Sequence, residues 1–537
     1  MILDDLKMYA RFGWGLRSFL RHTISLEQAK EIVRRRMGER EKNFLRLVER
    51  GIFGYPRSPY LRLLKLAQVE LGDIQRMVRS KGLENALHEL REAGVYITFE
   101  EFKGRDPIVR YGKIIPVRAR DFDNPHLSHY YQADSSGSTG AGTRVSIDLA
   151  HIAAQAPHLM LTRDAHGVLD VPTAIWRGIL PDNSGILNIL WPSHFGRIPW
   201  KWFSPIISGD LRPSLKYRLA TRYIVVMARL HGARFPYPEF VGLDEAIVLA
   251  HWAVEILKNH GKCLIGAPVS RALRVCLAAR EEGLNLAGAT FVVAGEPPTR
   301  AKVQGITSAG ARYFTTYGFA EAGRIGMGCA HPAQTSDLHF LKDAFAIVQS
   351  SRKVPNSSIP VPAFYFSSLL PTAPKLMLNV ESDDYGDIES QSCGCPLESY
   401  GYTEHLRDIR SFRKLTGEGV TLVGSEMVRI LEEVLPARFG GSPLDYQLIE
   451  EEDKEGFTRL NLLVSPRLEI VDEKAVVSAV LEALAQSSVA SDSARAIWKQ
   501  AGTLRVKRID PIWTSRGKLM PLHLSRPITG SPKDSSL

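Results

Sequence analysis

Residues 134–145 read Asp134-Ser135-Ser136-Gly137-Ser138-Thr139-Gly140-Ala141-Gly142-Thr143-Arg144-Val145. Hydroxylated side chains alternate with glycine, and almost no apolar bulk interrupts them. Successive backbone N–H groups in such a turn can converge on an anion, and Ser and Thr add donors without adding size. A flexible linker has the same composition, so the loop alone leaves both readings open. It is not a P-loop, because Thr143 follows Gly137 and Gly142 at the position where that motif carries Lys.

The chain has 537 residues, 44% hydrophobic and 23% charged. That is enough for two or more domains with buried cores. No apolar stretch approaches the roughly 20 residues a membrane helix needs. Asp4 and Asp5 follow the apolar start at once, so no secretory leader is expected, and cytoplasmic residence is the default expectation. The net charge of +10 is dispersed: Arg34-Arg35-Arg36 share a helical pattern with Glu39 and Glu41. A solvated basic surface, or attraction to anionic cofactors, is expected rather than a nucleic-acid groove.

From Leu26 to Ala93 apolar residues recur at helical spacing, as in Phe44, Leu45, Leu47 and Val48. Beyond the glycine loop, strands alternate with helices. Gly185 to Trp191 reads as extended, Asp244 to Asn259 as a helix capped by Asp244, and Ser270 to Glu282 as another helix. Ala289 to Val293 reads as a buried strand ending at Gly295-Glu296-Pro297, and Arg312 to Thr316 as a strand ending at Tyr317-Gly318. This alternation predicts an α/β architecture with functional loops at strand ends. Toward the C-terminus, Ser425 is placed to cap a helix with Met427, Ile430, Leu431, Val434 and Leu435 on its apolar face. A hairpin follows, formed by Tyr446 to Ile449 and Phe457 to Val464 around Asp453-Lys454-Glu455-Gly456. A helix from Glu473 to Leu484 and a strand near Leu504 to Ile509 complete a small α+β unit.

The glycine loop, Tyr317-Gly318-Phe319-Ala320-Glu321, Tyr385-Gly386-Asp387 and Gly517-Lys518 occur in the order seen in adenylate-forming enzymes, the superfamily of acyl- and aryl-CoA ligases. The chain resembles the phenylacetate-CoA ligase family in particular, whose loop reads Ser-Ser-Gly-Thr-Thr-Gly followed by a small pair and Thr. The resemblance implies an α/β fold in two parts. Residues 1–409 would form a large ATP- and substrate-binding domain of β-sheets flanked by helices, including the helical N-terminal region. Residues 410–537 would form a small mobile α+β lid.

By the same resemblance Ser135, Ser136, Gly137, Ser138, Thr139, Gly140 and Thr143 would hold the phosphates of ATP. Gly295, Glu296 and Pro297 would lie beside adenine, Tyr317 would stack on it with Gly318 next to it in the nucleotide site, and Asp387 would accept from the ribose hydroxyls. Glu321 would help hold Mg²⁺, a hard ion suited to a carboxylate. Arg410 opens Arg410-Ser411-Phe412-Arg413-Lys414-Leu415, followed by Gly419, which is similar to the family's hinge Arg-Ser-Asp-Asp-Met-Leu. Phe412 and Arg413 replace its two acids. Lys518 would bring positive charge to the meeting of two anions, carboxylate and triphosphate. Taken one at a time, Tyr317 is also a plausible core aromatic, Asp387 a turn residue and Glu321 a helix-start charge; their order favours the functional reading.

Cys393-Gly394-Cys395 places two thiols within reach of one ion, and Cys329 and His339 follow the Tyr317 motif. Relatives in the resembled family carry a similar set, some with zinc. Three thiolates and an imidazole suit a closed tetrahedral Zn²⁺ staple. His331 is an alternative ligand, and Cys263 and Cys276 read as buried thiols. Trp191, His194, Phe195 and Gly196 are candidates for the substrate wall. The implied reaction is ATP-dependent activation of an aryl or acyl carboxylic acid to an acyl adenylate with release of pyrophosphate. Thioester formation with coenzyme A would follow; the alternatives are transfer to a carrier protein or an amine, or a nucleotide-binding protein that has lost catalysis.

Overall fold

The structure, a computed structural model, describes residues 2–127, 130–134, 144–205, 215–353, 360–411, 414–417, 420–423, 427, 429–469, 472–487, 498–512 and 522–524. The expected phosphate-loop residues Ser135, Ser136, Gly137, Ser138, Thr139, Gly140 and Thr143, the hinge positions Phe412, Arg413 and Gly419, and Lys518 lie outside the described residues. Asp134 pairs with Arg144 across the antiparallel strands Tyr130–Asp134 and Arg144–Asp148.

The N-terminal helices form where the apolar spacing predicts them. Helix Leu26–Gly38 begins with a reciprocal cap, in which the Gln28 N–H donates to Ser25 Oγ and the Ser25 N–H to the Gln28 side chain. That satisfies two donors the helix start would otherwise leave bare. Helices Arg40–Val48, Pro59–Leu66, Leu71–Lys81 and Leu83–Glu92 follow. Their apolar faces, including Phe44, Leu63, Val78 and Leu87, enter the same core as Phe364 and Phe366 of the main sheet.

The main sheet has 12 strands. Its parallel half runs Pro238–Phe240, Lys201–Ser204, Thr173–Trp176, Cys263–Ala267, Ala289–Val293 and Arg312–Phe319. Arg312–Phe319 is the junction: it lies parallel to Ala289–Val293 and antiparallel to Gly323–Gly328. The antiparallel half continues through Asp337–Phe340, Glu404–Ser411, Val380–Ser390, Pro360–Ser368 and Phe345–Lys353. Cys263–Ala267 and Ala289–Val293 are buried throughout, as strands covered by helices on both faces must be.

A separate 4-stranded sheet orders Leu504–Lys507, Thr458–Val464, Tyr446–Glu452 and Leu522–Leu524. Helix Glu473–Ser487 belongs to the same C-terminal unit. The architecture is therefore mixed α/β, with a large helix-flanked sheet and a smaller C-terminal sheet domain.

Three local expectations change. Gly185 to Trp191 is helical, within Ser184–Ser193; its buried Ile186, Ile189 and Leu190 have the spacing of one helix face, which an unbroken apolar run had concealed. Asp244 does not cap a helix but sits inside a 3₁₀ turn, Leu243–Glu245, ahead of helix Ile247–His260. The segment after Met427 forms a π turn, Ile430–Val434, running into a short helix, Leu435–Phe439. Met427, Ile430, Leu431 and Leu435 are still buried; Ser425 lies outside the described residues. Among the described residues no helix is long and apolar enough to cross a membrane.

Candidate active site and cysteine–histidine centre

Parallel strands carry their loops out at the carboxyl ends, where open α/β sheets bind ligands. Here those ends supply Arg177 after Thr173–Trp176, Glu296 after Ala289–Val293, and Tyr317 in Arg312–Phe319. Gly295 turns the chain with φ +90°, a conformation that favours glycine.

The Tyr317 hydroxyl donates to Asp384 Oδ2 at 2.7 Å. Ser411 Oγ donates to the other oxygen of the same carboxylate. Asp384 is buried and thereby ties the end of the parallel half to Val380–Ser390 and Glu404–Ser411. Burial, reinforced by the Asp384 charge, pushes the Tyr317 hydroxyl well above the ordinary tyrosine range, so it remains a donor at neutral pH. Asp387 lies three residues on, is exposed, and pairs in register with Arg407. Arg410 pairs in register with Tyr385 and is partly exposed. Asp387 and Arg410 thus sit on neighbouring strands, whereas Tyr317 is separated from them in the sheet by Gly323–Gly328 and Asp337–Phe340; the acid that meets Tyr317 is Asp384.

Glu321 occupies the turn between Arg312–Phe319 and Gly323–Gly328 and is ion-paired with Lys103 Nζ. Both partners are largely buried. Burial pushes the Glu321 carboxyl up, but the Lys103 charge and hydrogen bond outweigh it and hold it below the usual range. Nothing in the sequence marks Lys103, which is 218 positions away. Glu296 is likewise committed: it accepts from the Ser270 N–H at 2.8 Å, Ser270 Oγ at 2.6 Å and Lys302 Nζ at 3.0 Å. Lys302 Nζ also donates to Thr458 Oγ1 at 3.0 Å, reaching from helix Arg300–Thr307 to the C-terminal sheet. Beside it, the Arg274 guanidinium stands 4.5 Å over the Phe457 ring.

Of the expected substrate wall, Trp191 is partly exposed, Phe195 is buried and Gly196 is exposed. His194 stacks on Phe19 with centroids 4.8 Å apart, and its Nδ1 lies 3.3 Å from the Phe19 carbonyl. It is packed against the N-terminal helix.

Cys329, His339, Cys393 and Cys395 converge, with their ligand atoms all within 4.8 Å of one another. A tetrahedron with metal–sulfur bonds of roughly 2.3 Å has edges of roughly 3.8 Å, and the Cys393 Sγ to His339 Nε2 distance is 3.8 Å. Each sulfur accepts a backbone N–H: His331 to Cys329 at 3.3 Å, Cys395 to Cys393 at 3.4 Å, and Ala330 to Cys395 at 3.4 Å. Such donors stabilise thiolates. His339 Nδ1 lies 2.7 Å from the Tyr402 carbonyl, which places the proton there and leaves Nε2 toward the sulfurs. Donor set and spacing fit Zn²⁺. His331 instead turns its ring nitrogen to the Cys393 carbonyl. Cys263 and Cys276 are buried, and burial pushes the Cys263 thiol up to about 12.

A second buried network stands beside this centre. His158 Nε2 lies 2.9 and 2.8 Å from the two oxygens of Asp343, and the Tyr402 hydroxyl donates to Asp343 at 2.8 Å. Tyr402 thus touches both networks.

These features define a mixed α/β architecture, a large helix-flanked sheet with a smaller C-terminal sheet domain. Among solved structures, 2-hydroxyisobutyryl-CoA ligase in complex with 2-HIB-AMP and CoA in the thioesterification state is similar in fold. The TM-score is 0.50 at 15% sequence identity, over 94% of this chain and 91% of that one. The same ligase in its postadenylation state gives a TM-score of 0.42 at 16% identity, over 94% and 91%. An amide bond synthetase from Marinactinospora thermotolerans gives 0.38 at 10%, over 94% and 97%. No family model and no curated protein matches the sequence.

Proposed function

We propose that this chain is an ATP-dependent adenylate-forming ligase of the phenylacetate-CoA ligase kind. The observation that carries the reading is the placement of Tyr317, Glu321 and Asp384 around the end of the sheet's last parallel strand. A fold similar to that of a CoA ligase holding an acyl-AMP and CoA supports it. In this reading residues 1–409 bind ATP and an aryl or acyl carboxylic acid, and residues 410–537 act as the lid. Ser135, Ser136, Gly137, Ser138, Thr139, Gly140 and Thr143 hold the phosphates. Gly295, Pro297, Tyr317 and Gly318 flank adenine, Glu296 braces that loop from its buried pair with Lys302, and Asp387 and Arg410 attend the ribose.

The substrate carboxylate attacks the α-phosphate of Mg-ATP and pyrophosphate leaves; in-line positioning and charge neutralisation do most of the work. Mg²⁺ enters with ATP. Glu321, now paired with Lys103, would help hold it, a hard ion suited to a carboxylate. Lys518 supplies positive charge at the reacting centre. The lid then turns about the 410–419 segment and admits coenzyme A, whose thiol takes the acyl group and releases AMP. Zn²⁺ on Cys329, His339, Cys393 and Cys395 is a structural staple and takes no part in these steps.

ATP–pyrophosphate exchange over a broad panel of carboxylic acids tests the reading, with Lys518→Ala as the control. Exchange in the native protein and its loss in the variant are expected. Absence of exchange with every acid, together with no effect of Lys518→Ala, overturns it. Thioester formation on adding free coenzyme A separates this acceptor from an amine or a carrier protein.

A further inference from the structure

Two arginines stand without an acid against the aromatic wall. Arg163, near the end of helix Leu149–Ala165, is 4% exposed, and its guanidinium carbon lies 5.8 Å from the Phe195 ring centroid. Arg324, in strand Gly323–Gly328, is 8% exposed, and its guanidinium carbon lies 4.7 Å over the Trp191 ring. Among the described residues neither guanidinium makes an ion pair or a hydrogen bond, and Arg163 Nε and Nη1 are buried without a partner. Burial lowers Arg163 to about 9, with a further push from the nearby Arg324 charge, and lowers Arg324 to about 10. No carboxylate offsets either.

Arg177 adds a third buried guanidinium, its Nε unpartnered, at the carboxyl end of Thr173–Trp176. Asp182 and Glu296 act on it from outside ion-pair distance. Glu296 is already bound to Ser270 and Lys302, and Asp182 accepts from the Ser184 N–H at 2.9 Å.

Burying a cation without its counter-charge costs several kcal/mol, and an aromatic face returns only about 0.5–2 kcal/mol. Two such cations on one wall lower the stability of the empty protein, and an anion bound between them removes that penalty. A guanidinium presents a planar fork of donors that matches carboxylate, sulfonate or phosphate oxygens. In the adenylation reading the phosphates of ATP belong to residues 135–143, and the reacting carboxylate belongs at the α-phosphate. A monocarboxylic acid therefore leaves Arg163 and Arg324 bare.

We propose that the acid substrate carries a second anionic group, taken up by Arg163 and Arg324 along the Trp191–Phe195 wall while the first carboxylate is adenylated. This rests on the adenylation reading, and its test is built to fail separately.

With the full chain, ATP–pyrophosphate exchange is compared for benzoate against terephthalate, 4-sulfobenzoate and 4-phosphonobenzoate, and for butyrate against succinate and glutarate. At least one dianionic acid is expected to exceed its monoanionic match in kcat/KM by about 100-fold. Arg163→Met and Arg324→Met should each shrink that ratio by about 10-fold or more through the KM of the acid, leaving the KM of ATP in place. Thermal unfolding provides a readout free of turnover. Without ligand both variants should match or exceed the native Tm, because each removes an unpaired buried charge; dianionic acids should raise the native Tm and not that of the variants.

Exchange with monoanions alone, or variants that act on the KM of ATP, overturns the anion site and leaves adenylation standing. An arginine-dependent Tm rise without exchange for any acid leaves the site and overturns adenylation. No response to any dianion in either assay overturns the site.

Discussion

The hydroxyl of Tyr317 meets the carboxylate of Asp384 across 67 positions of sequence, and Ser411 binds the same carboxylate from a third strand. One buried acid therefore fixes the rim of the expected nucleotide site. Asp384→Ala strands two hydroxyl donors, and leaving such groups unsatisfied costs about 1–3 kcal/mol each. The urea midpoint should fall accordingly. Tyr317→Phe keeps the ring and is expected to be milder in both stability and KM for ATP than Tyr317→Ala.

Lys103→Met leaves Glu321 buried and unpaired, a change expected to cost about 3–5 kcal/mol. Lys103→Met combined with Glu321→Gln should recover part of the loss, with a coupling of about 1–3 kcal/mol in a double-mutant cycle read by chemical denaturation. Additive losses would show that the pair contributes nothing.

Purified protein should carry one zinc per chain by elemental analysis, and a strong chelator should lower its Tm. Cys395→Ser should lose the metal, because one thiolate fewer opens the closed set. His331→Ala should keep it, since that ring faces the Cys393 carbonyl instead.

Acid stability should depend on Asp343. Burial pushes its carboxyl up, but His158, Arg36 and the Tyr402 hydroxyl outweigh this and hold it below the ordinary value. A depressed carboxylate contributes stability that is present above its unfolded value, about pH 4, and is lost as pH falls through the lower folded value. Asp343→Asn should lower stability at neutral pH by about 3–5 kcal/mol and flatten the acid limb of a Tm-against-pH curve.

The alternation of strands and helices was legible because periodicity reports local burial. Ala289–Val293, Arg312–Phe319 and the Tyr446–Val464 hairpin stand where the sequence places them. The Ser184–Ser193 helix was not, because a run apolar on nearly every side has no visible period. Cys329, His339, Cys393 and Cys395 could be grouped by residue type, since few other side chains share that chemistry. Lys103, Asp384, Arg163 and Arg324 were out of reach for the opposite reason. Charged residues are common, and only the strand order brings these particular ones beside Glu321, Tyr317 and the aromatic wall.

Lys302 is 1% exposed and binds a carboxylate on its own side, Glu296, as well as a hydroxyl on the other side, Thr458. A displacement of the C-terminal sheet thus breaks the weaker of the two bonds and never strands the ammonium. At Lys302 the seam between the two sheets parts without leaving that ammonium unpaired, at the cost of one hydrogen bond from a charged donor, about 1.5–3 kcal/mol.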